Sequence, residues 1–163
     1  MKKLYLIRHA KSSWKDDSLS DFERPLNKRG KNDAPLMGKF LKKKNIMPDY
    51  ILSSPAGRAK RTAKIIAKEI GFSKKIKYDE DVYEATTSTL FDIIKSFDED
   101  YDDVFLFGHN PSFSMLAEML SNDYVENIPT GGIYCISFNV SQWDKIKKQS
   151  GKTENFWFPK MFK

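Results

Sequence analysis

The chain has 163 residues, 40% hydrophobic and 31% charged, with a formal net charge of +6. That length suits a single domain spanning residues 1–163 with a substantial core. One cysteine, Cys135, rules out an intramolecular disulfide and fits a reducing compartment. The apolar run LYLI is too short for a signal peptide, and no stretch approaches the length of a membrane span. A cytoplasmic protein without membrane engagement is therefore expected. The lysine excess falls in short clusters (42–44, 74–75, 147–148) that read as solvated surface. The positive field favours anionic substrates. No zinc-finger spacing or RNA-binding signature points to nucleic acid.

Short apolar runs alternate with longer periodic segments. LYLI (4–7) is the first strand expected. Residues 28–44 then read as a helix, with Ala34, Met37, Phe40 and Leu41 on one face and Pro35 expected to kink it or delay its start. A strand follows at 50–53. The segment 55–70 repeats apolar residues at Ala59, Ala63, Ile66 and Ile70. Ser54 is the expected N-cap there, Pro55 the first helical residue and Gly71 the stop. A short strand near 76–78 precedes a helix capped by Thr87 or Ser88 and carrying Leu90, Ile93, Ile94 and Phe97. VFLF (104–107) is a buried strand, 111–121 a helix, and 133–138 and 154–158 later strands, the last near a sheet edge. Strands alternating with helices predict an α/β fold, a three-layer α/β/α domain around a mainly parallel sheet.

Three of these strands run into polar sequence. LYLI meets Arg8-His9-Ala10. YIL meets Ser53-Ser54-Pro55, with Arg58 just beyond. VFLF meets Gly108-His109-Asn110-Pro111. Parallel strands place their carboxyl ends on one edge, where ligands bind in open α/β sheets. Both histidines in the chain and at least two arginines are expected to converge there, beside helix N-termini near 55 and 111. The set suits a phosphoryl group. Arginine forks bind its oxygens, a neutral imidazole attacks phosphorus, and a second imidazole, if protonated, donates to an equatorial oxygen. Such chemistry needs no metal or other cofactor, and no metal-ligand spacing is present.

Arg8-His9-Ala10 resembles the Arg-His-Gly motif of the histidine phosphatase superfamily, which also contains phosphoglycerate mutases. SSPAGRAKRTA (53–63) resembles its second motif and GHNPS (108–112) its third. With DFERPLNKRG (21–30), they resemble the SixA-like phosphohistidine phosphatase branch most. The resemblance implies a phosphoglycerate mutase-like fold and His9 as the nucleophile that becomes phosphorylated. It also implies Arg8 and Arg58 on the phosphoryl oxygens, His109 completing the pocket, and water releasing phosphate. Two departures stand out. Ala10 replaces the commoner glycine, and Lys15 stands where mutase-like members carry asparagine. Most of the superfamily uses a carboxyl general acid. Glu84 lies in the corresponding region but lacks the usual glycine pattern. A phosphorylated imidazole leaves readily once its ring is protonated, so the acid matters less for that substrate.

Lys11, Ser12 and Lys15 are candidate substrate contacts beside the nucleophile. Arg24 either lines the pocket entrance or pairs with Asp21 or Glu23, and Arg61 reads as surface. Cys135 is excluded as a phosphatase nucleophile, because the position six residues on is Ser141 rather than arginine. It reads as a buried, inert thiol. No GxxxxGK[ST] loop occurs. The expected activity is metal-independent hydrolysis of phosphohistidine in proteins. The alternatives are a small phosphomonoester substrate or a non-catalytic phosphate-binding module. Nothing demands an interface, so a monomer is expected.

Overall fold

The computed structural model describes residues 1–163. Six strands form one sheet: β1 (Lys2–Arg8), β2 (Tyr50–Ser53), β3 (Lys77–Tyr78), β4 (Asp103–Gly108), β5 (Ile133–Phe138) and β6 (Lys152–Trp157). Their order is β3-β2-β4-β1-β5-β6. The first four run parallel, and β5 is antiparallel to both β1 and β6. The four helices are α1 (Lys28–Lys43), α2 (Gly57–Ile70), α3 (Thr87–Lys95) and α4 (Ser112–Ser121).

Alternation along the strands builds two cores. Leu4 and Leu6 of β1, with Val104 and Leu106 of β4, face α3 and α4 and meet Leu90, Ile94, Leu116 and Leu120. Tyr5, Ile7, Phe105 and Phe107 face the other way, onto Met37 and Leu41 of α1 and Ala63, Ile66 and Ile70 of α2. Strands buried on both faces are continuously apolar, as LYLI and VFLF are. The result is the three-layer α/β/α arrangement expected. Truncating a residue at the centre, such as Leu106→Ala, should cost about 2–5 kcal/mol.

Local outcomes differ from the sequence reading in four places. Pro35 lies inside α1 without delaying its start, because Asn27 caps the helix by accepting from the Gly30 amide. Ser54 does not cap α2, which begins at Gly57 with Ala56 as N-cap; the Ser54 hydroxyl is engaged by His109 instead. Thr86, not Thr87 or Ser88, caps α3 by accepting from the Thr89 amide. The last strand starts at Lys152, two residues early, and β6 is an edge strand as expected.

Candidate active site

Register alone brings the site together. Arg8 pairs with Gly108 across β1 and β4, and Ser53 pairs with Phe107 across β2 and β4. The residues that follow, His9, His109 and Ser54, therefore leave three adjacent parallel strands at one edge. The His9 amide bonds the Gly108 carbonyl at 3.1 Å, and the Ser54 amide bonds Phe107 at 3.0 Å. Gly108 is required here. A Cβ on it would meet the Phe113 ring at 2.5 Å, so a side chain would push α4 off the end of β4.

The His9 ring is 7% exposed. Its Nδ1 lies 2.7 Å from the Ala10 carbonyl oxygen, which only accepts, so Nδ1 carries the proton and Nε2 the lone pair. Burial pushes the imidazole down to about 3; the Ala10 hydrogen bond opposes this, while His109, Arg58 and Arg8 add to it. Burial therefore does more than the neighbouring arginines to keep His9 neutral. Ala10 is held in turn by its amide donating to Thr62 Oγ1 at 3.0 Å, with that hydroxyl donating to the Arg58 carbonyl at 2.7 Å.

Arg58 sits in the first turn of α2 with Nε 3.4 Å from His9 Nε2. Its Nη1 donates to the Asp21 carbonyl at 2.7 Å, and its Nη2 to the Asp21 carboxylate at 3.0 Å. That carboxylate also accepts from Tyr83 Oη at 2.7 Å and Arg24 Nη1 at 2.9 Å. The Tyr83 hydrogen bond, reinforced by Arg24 and Arg58, holds Asp21 well below the usual carboxylate range. The Tyr83 phenol is raised to about 12, first by burial and then by Asp21. Sequence reasoning saw Asp21 only as a partner for Arg24, and missed Tyr83, Thr62 and Ser54. Asp21 comes from a 3-10 turn in a loop, where no periodicity marks a residue as facing the site.

The His109 ring stands 5.3 Å from that of His9, centroid to centroid. Its Nε2 lies 2.8 Å from Ser54 Oγ. Ser54 Oγ also accepts from the Ala56 amide, so this hydroxyl ties the His109 ring to the start of α2. The His109 Nδ1 is buried and bonded to nothing. Burial, then Arg58, pushes His109 down to about 4. Burial thus favours the neutral form of the second imidazole over the protonated form on which a charged donor would depend. Arg8 Nη1 donates to the Ile128 carbonyl at 3.0 Å, while its Nε is buried without a partner.

His9, Arg8, Arg58 and His109 thus come together. Glu84 is exposed, has φ 54°, and lines a cleft of about 550 Å³ with Asp21, Arg58, Tyr83 and His109. Ser12 is buried and its hydroxyl accepts from Arg24 Nη2, while Arg24 Nε donates to the Ser13 carbonyl. Arg24 pairs with Asp21, as one of its two readings had it; it is absent from the cleft lining, and its guanidinium lies 3.2 Å from the ring centre of exposed Trp14. Lys11 accepts through its carbonyl from the Asn27 amide, and its side chain makes no hydrogen bond. Lys15 is exposed and outside the cleft lining. Cys135 is buried in β5, its thiol pushed up to about 12 by burial. No three His, Cys, Asp or Glu side chains converge as a metal-ligand group. No helix is long and apolar enough to cross a membrane.

An uncharacterised chloroplastic protein of Arabidopsis thaliana is 34% identical over 159 residues, spanning 92% of this chain and 72% of its own. The crystal structure of a putative phosphohistidine phosphatase SixA from Agrobacterium tumefaciens superimposes with a TM-score of 0.83 at 26% identity, covering 97% of this chain and 98% of that one. The structure of a protein histidine phosphatase SixA complexed with tungstate reaches 0.86 at 18% identity, covering 99% of each chain. The model of the histidine phosphatase superfamily (branch 1) matches residues 4–144, a span that holds both histidines and both arginines of the site, and the chain belongs to that family.

Proposed function

We propose that residues 1–163 form one catalytic domain that hydrolyses phosphohistidine in proteins through a phosphorylated His9, without a metal. The observation that carries this reading is a buried, neutral His9 whose tautomer is fixed at Ala10, leaving the Nε2 lone pair beside Arg58. His9 Nε2 attacks phosphorus, the substrate P–N bond breaks, and the leaving imidazole takes a proton from solvent. Water then attacks the phosphorus of phospho-His9, releases inorganic phosphate and regenerates the Nε2 lone pair. Arg58 and Arg8 neutralise the phosphoryl oxygens in both steps, and His109 donates a hydrogen bond to one of them. The likeness to the SixA phosphohistidine phosphatase supports a protein-borne substrate. An unpaired, buried Cys135 fits a cytoplasmic protein, and a monomer is sufficient for the chemistry.

The test combines two assays. Brief exposure to a ³²P-phosphohistidine protein should leave an acid-labile label on the wild type and none on His9→Ala, where turnover falls at least about a thousandfold. Turnover in the presence of chelator should persist. Higher kcat/KM on a panel of sugar phosphates and nucleotides than on the phosphohistidine protein would assign a small phosphomonoester instead. No turnover on any of them would leave a phosphate-binding module. Glu84→Gln should lower phosphohistidine turnover less than about tenfold, because the leaving ring supplies its own protonation site. A loss as severe as that of His9→Ala would make Glu84 the acid.

A further inference from the structure

The cleft at the candidate site does not end there. It shares Thr87 and Met115 with a second hollow of about 560 Å³ along the outer side of α4, and that hollow shares Asp123 and Tyr124 with a third that reaches edge strand β6. Two apolar side chains project into this run without cover: Met115, 58% exposed, and Tyr124, 83% exposed. The charge is one-sided. Glu84, Glu118, Asp123 and Glu126 line it, and past Arg58 its walls carry no lysine or arginine. This stands out on a chain with 28 basic and 22 acidic residues. At the head of the run the buried Nδ1 of His109, 8% exposed as a residue, has no partner.

We propose that this groove seats the polypeptide segment flanking the phosphorylated residue of a protein substrate, and that it selects segments bearing lysine or arginine together with apolar side chains. The proposal rests on the phosphohistidine reading above and deepens it. Charge complementarity carries it. Arg58 at the head of the groove takes the phosphoryl group, whereas the length beyond it carries Glu118, Asp123 and Glu126 and takes cations. A small phosphomonoester fills the head and has no use for the rest. Met115 and Tyr124 supply the apolar contact, and Tyr does so at little cost in side-chain freedom. Glu118 and Asp123 already accept from the Val125 amide and the Thr153 hydroxyl, so Glu126 and Glu84 are the carboxylates with no internal hydrogen bond to give up.

The test uses fluorescein-labelled decapeptides with a central, non-hydrolysable phosphonate isostere of phosphohistidine, flanked on both sides by Lys and Leu or by Glu and Leu. Anisotropy should show the Lys/Leu peptide binding at least about tenfold tighter, the sum of a few exposed charge pairs. The double variant Tyr124→Ala/Glu126→Lys should reduce that ratio at least about fivefold while keeping turnover of p-nitrophenyl phosphate, since both positions are solvent-exposed and away from the phosphoryl pocket. Equal affinities for the two peptides, or a ratio that the double variant leaves unchanged, would overturn the groove. Failure of the underlying reading looks different. A hydrolysable Lys/Leu phosphohistidine peptide would then stay intact while p-nitrophenyl phosphate is turned over, and the affinity ratio would still decide the groove.

Discussion

The two walls of the pocket are built by different physics. On one side, Asp21, Arg24, Arg58 and Tyr83 form a charged network between a loop and the start of α2, with the Asp21 side chain 45% exposed. On the other, Gly108, His109 and Ser54 are fixed by strand register, backbone bonds and one neutral hydrogen bond at 2.8 Å. Arg24 and Arg58 are buried, but their shared carboxylate reaches solvent, so salt screens these ion pairs in part; the neutral bonds of the other wall are not screened. His9, the proposed nucleophile, stands between an adjustable wall and a rigid one. The adjustable wall presents Arg58, which is proposed to hold the phosphoryl group as its geometry changes during transfer.

The contrast can be broken at several points. Arg58→Ala removes the main cation and releases Asp21, so kcat/KM should drop by roughly a hundredfold or more in steady-state assays. Asp21→Asn keeps the shape but leaves Arg58 and Arg24 unpaired. About a tenfold loss is expected, together with loss of the wild-type salt sensitivity between low and high ionic strength. Ser54→Ala removes the hydrogen bond that holds the His109 ring and should cost a similar factor of about ten at every salt concentration. If both variants respond alike to salt, the two walls are not held differently. Tyr83→Phe removes one of several donors to Asp21 and should cost only about two- to fivefold.

Acid stability separates the walls further. His9 and His109 titrate in the folded chain at about 3 and about 4, below their ordinary value of 6.5. The unfolded chain therefore binds more protons between those limits, and stability falls as pH drops from about 6.5 towards 3. Asp21, held below the usual carboxylate range, contributes stability that is present above its unfolded pKa and is lost progressively as pH falls from there towards its folded value. Tm measured from pH 7 to 4 should decline in the wild type and decline less in His9→Gln. Equal slopes would mean that His9 is not buried neutral.

His9, His109 and Arg58 were legible in the sequence, while the places of Asp21, Tyr83 and Ser54 at the site were not. LYLI and VFLF are strands buried on both faces, and the polar residues just past them have few places to go once the strands are parallel. His9 and His109 follow from that. Asp21 and Tyr83 reach the site from irregular segments, 62 residues apart, and their meeting depends on how two loops close over the sheet edge. Ser54 was misassigned for a related reason. Serine before a helix favours capping, but the hydroxyl found a buried imidazole, and the helix starts three residues later. Local propensity lost to a partner that only the tertiary fold supplies.

The stacking of Arg24 on Trp14 makes the charged wall visible to light. Trp143 is buried in the core and Trp157 is half-buried edge-on against Phe40, so Trp14, 71% exposed, is the most open of the three indoles. Its neighbour Arg24 shares Asp21 with Arg58. An oxyanion that draws Arg58 inward alters the cation lying on the indole face, and the wild-type protein thus carries its own fluorophore for occupancy of the pocket, one that iodide quenches selectively and that requires no label.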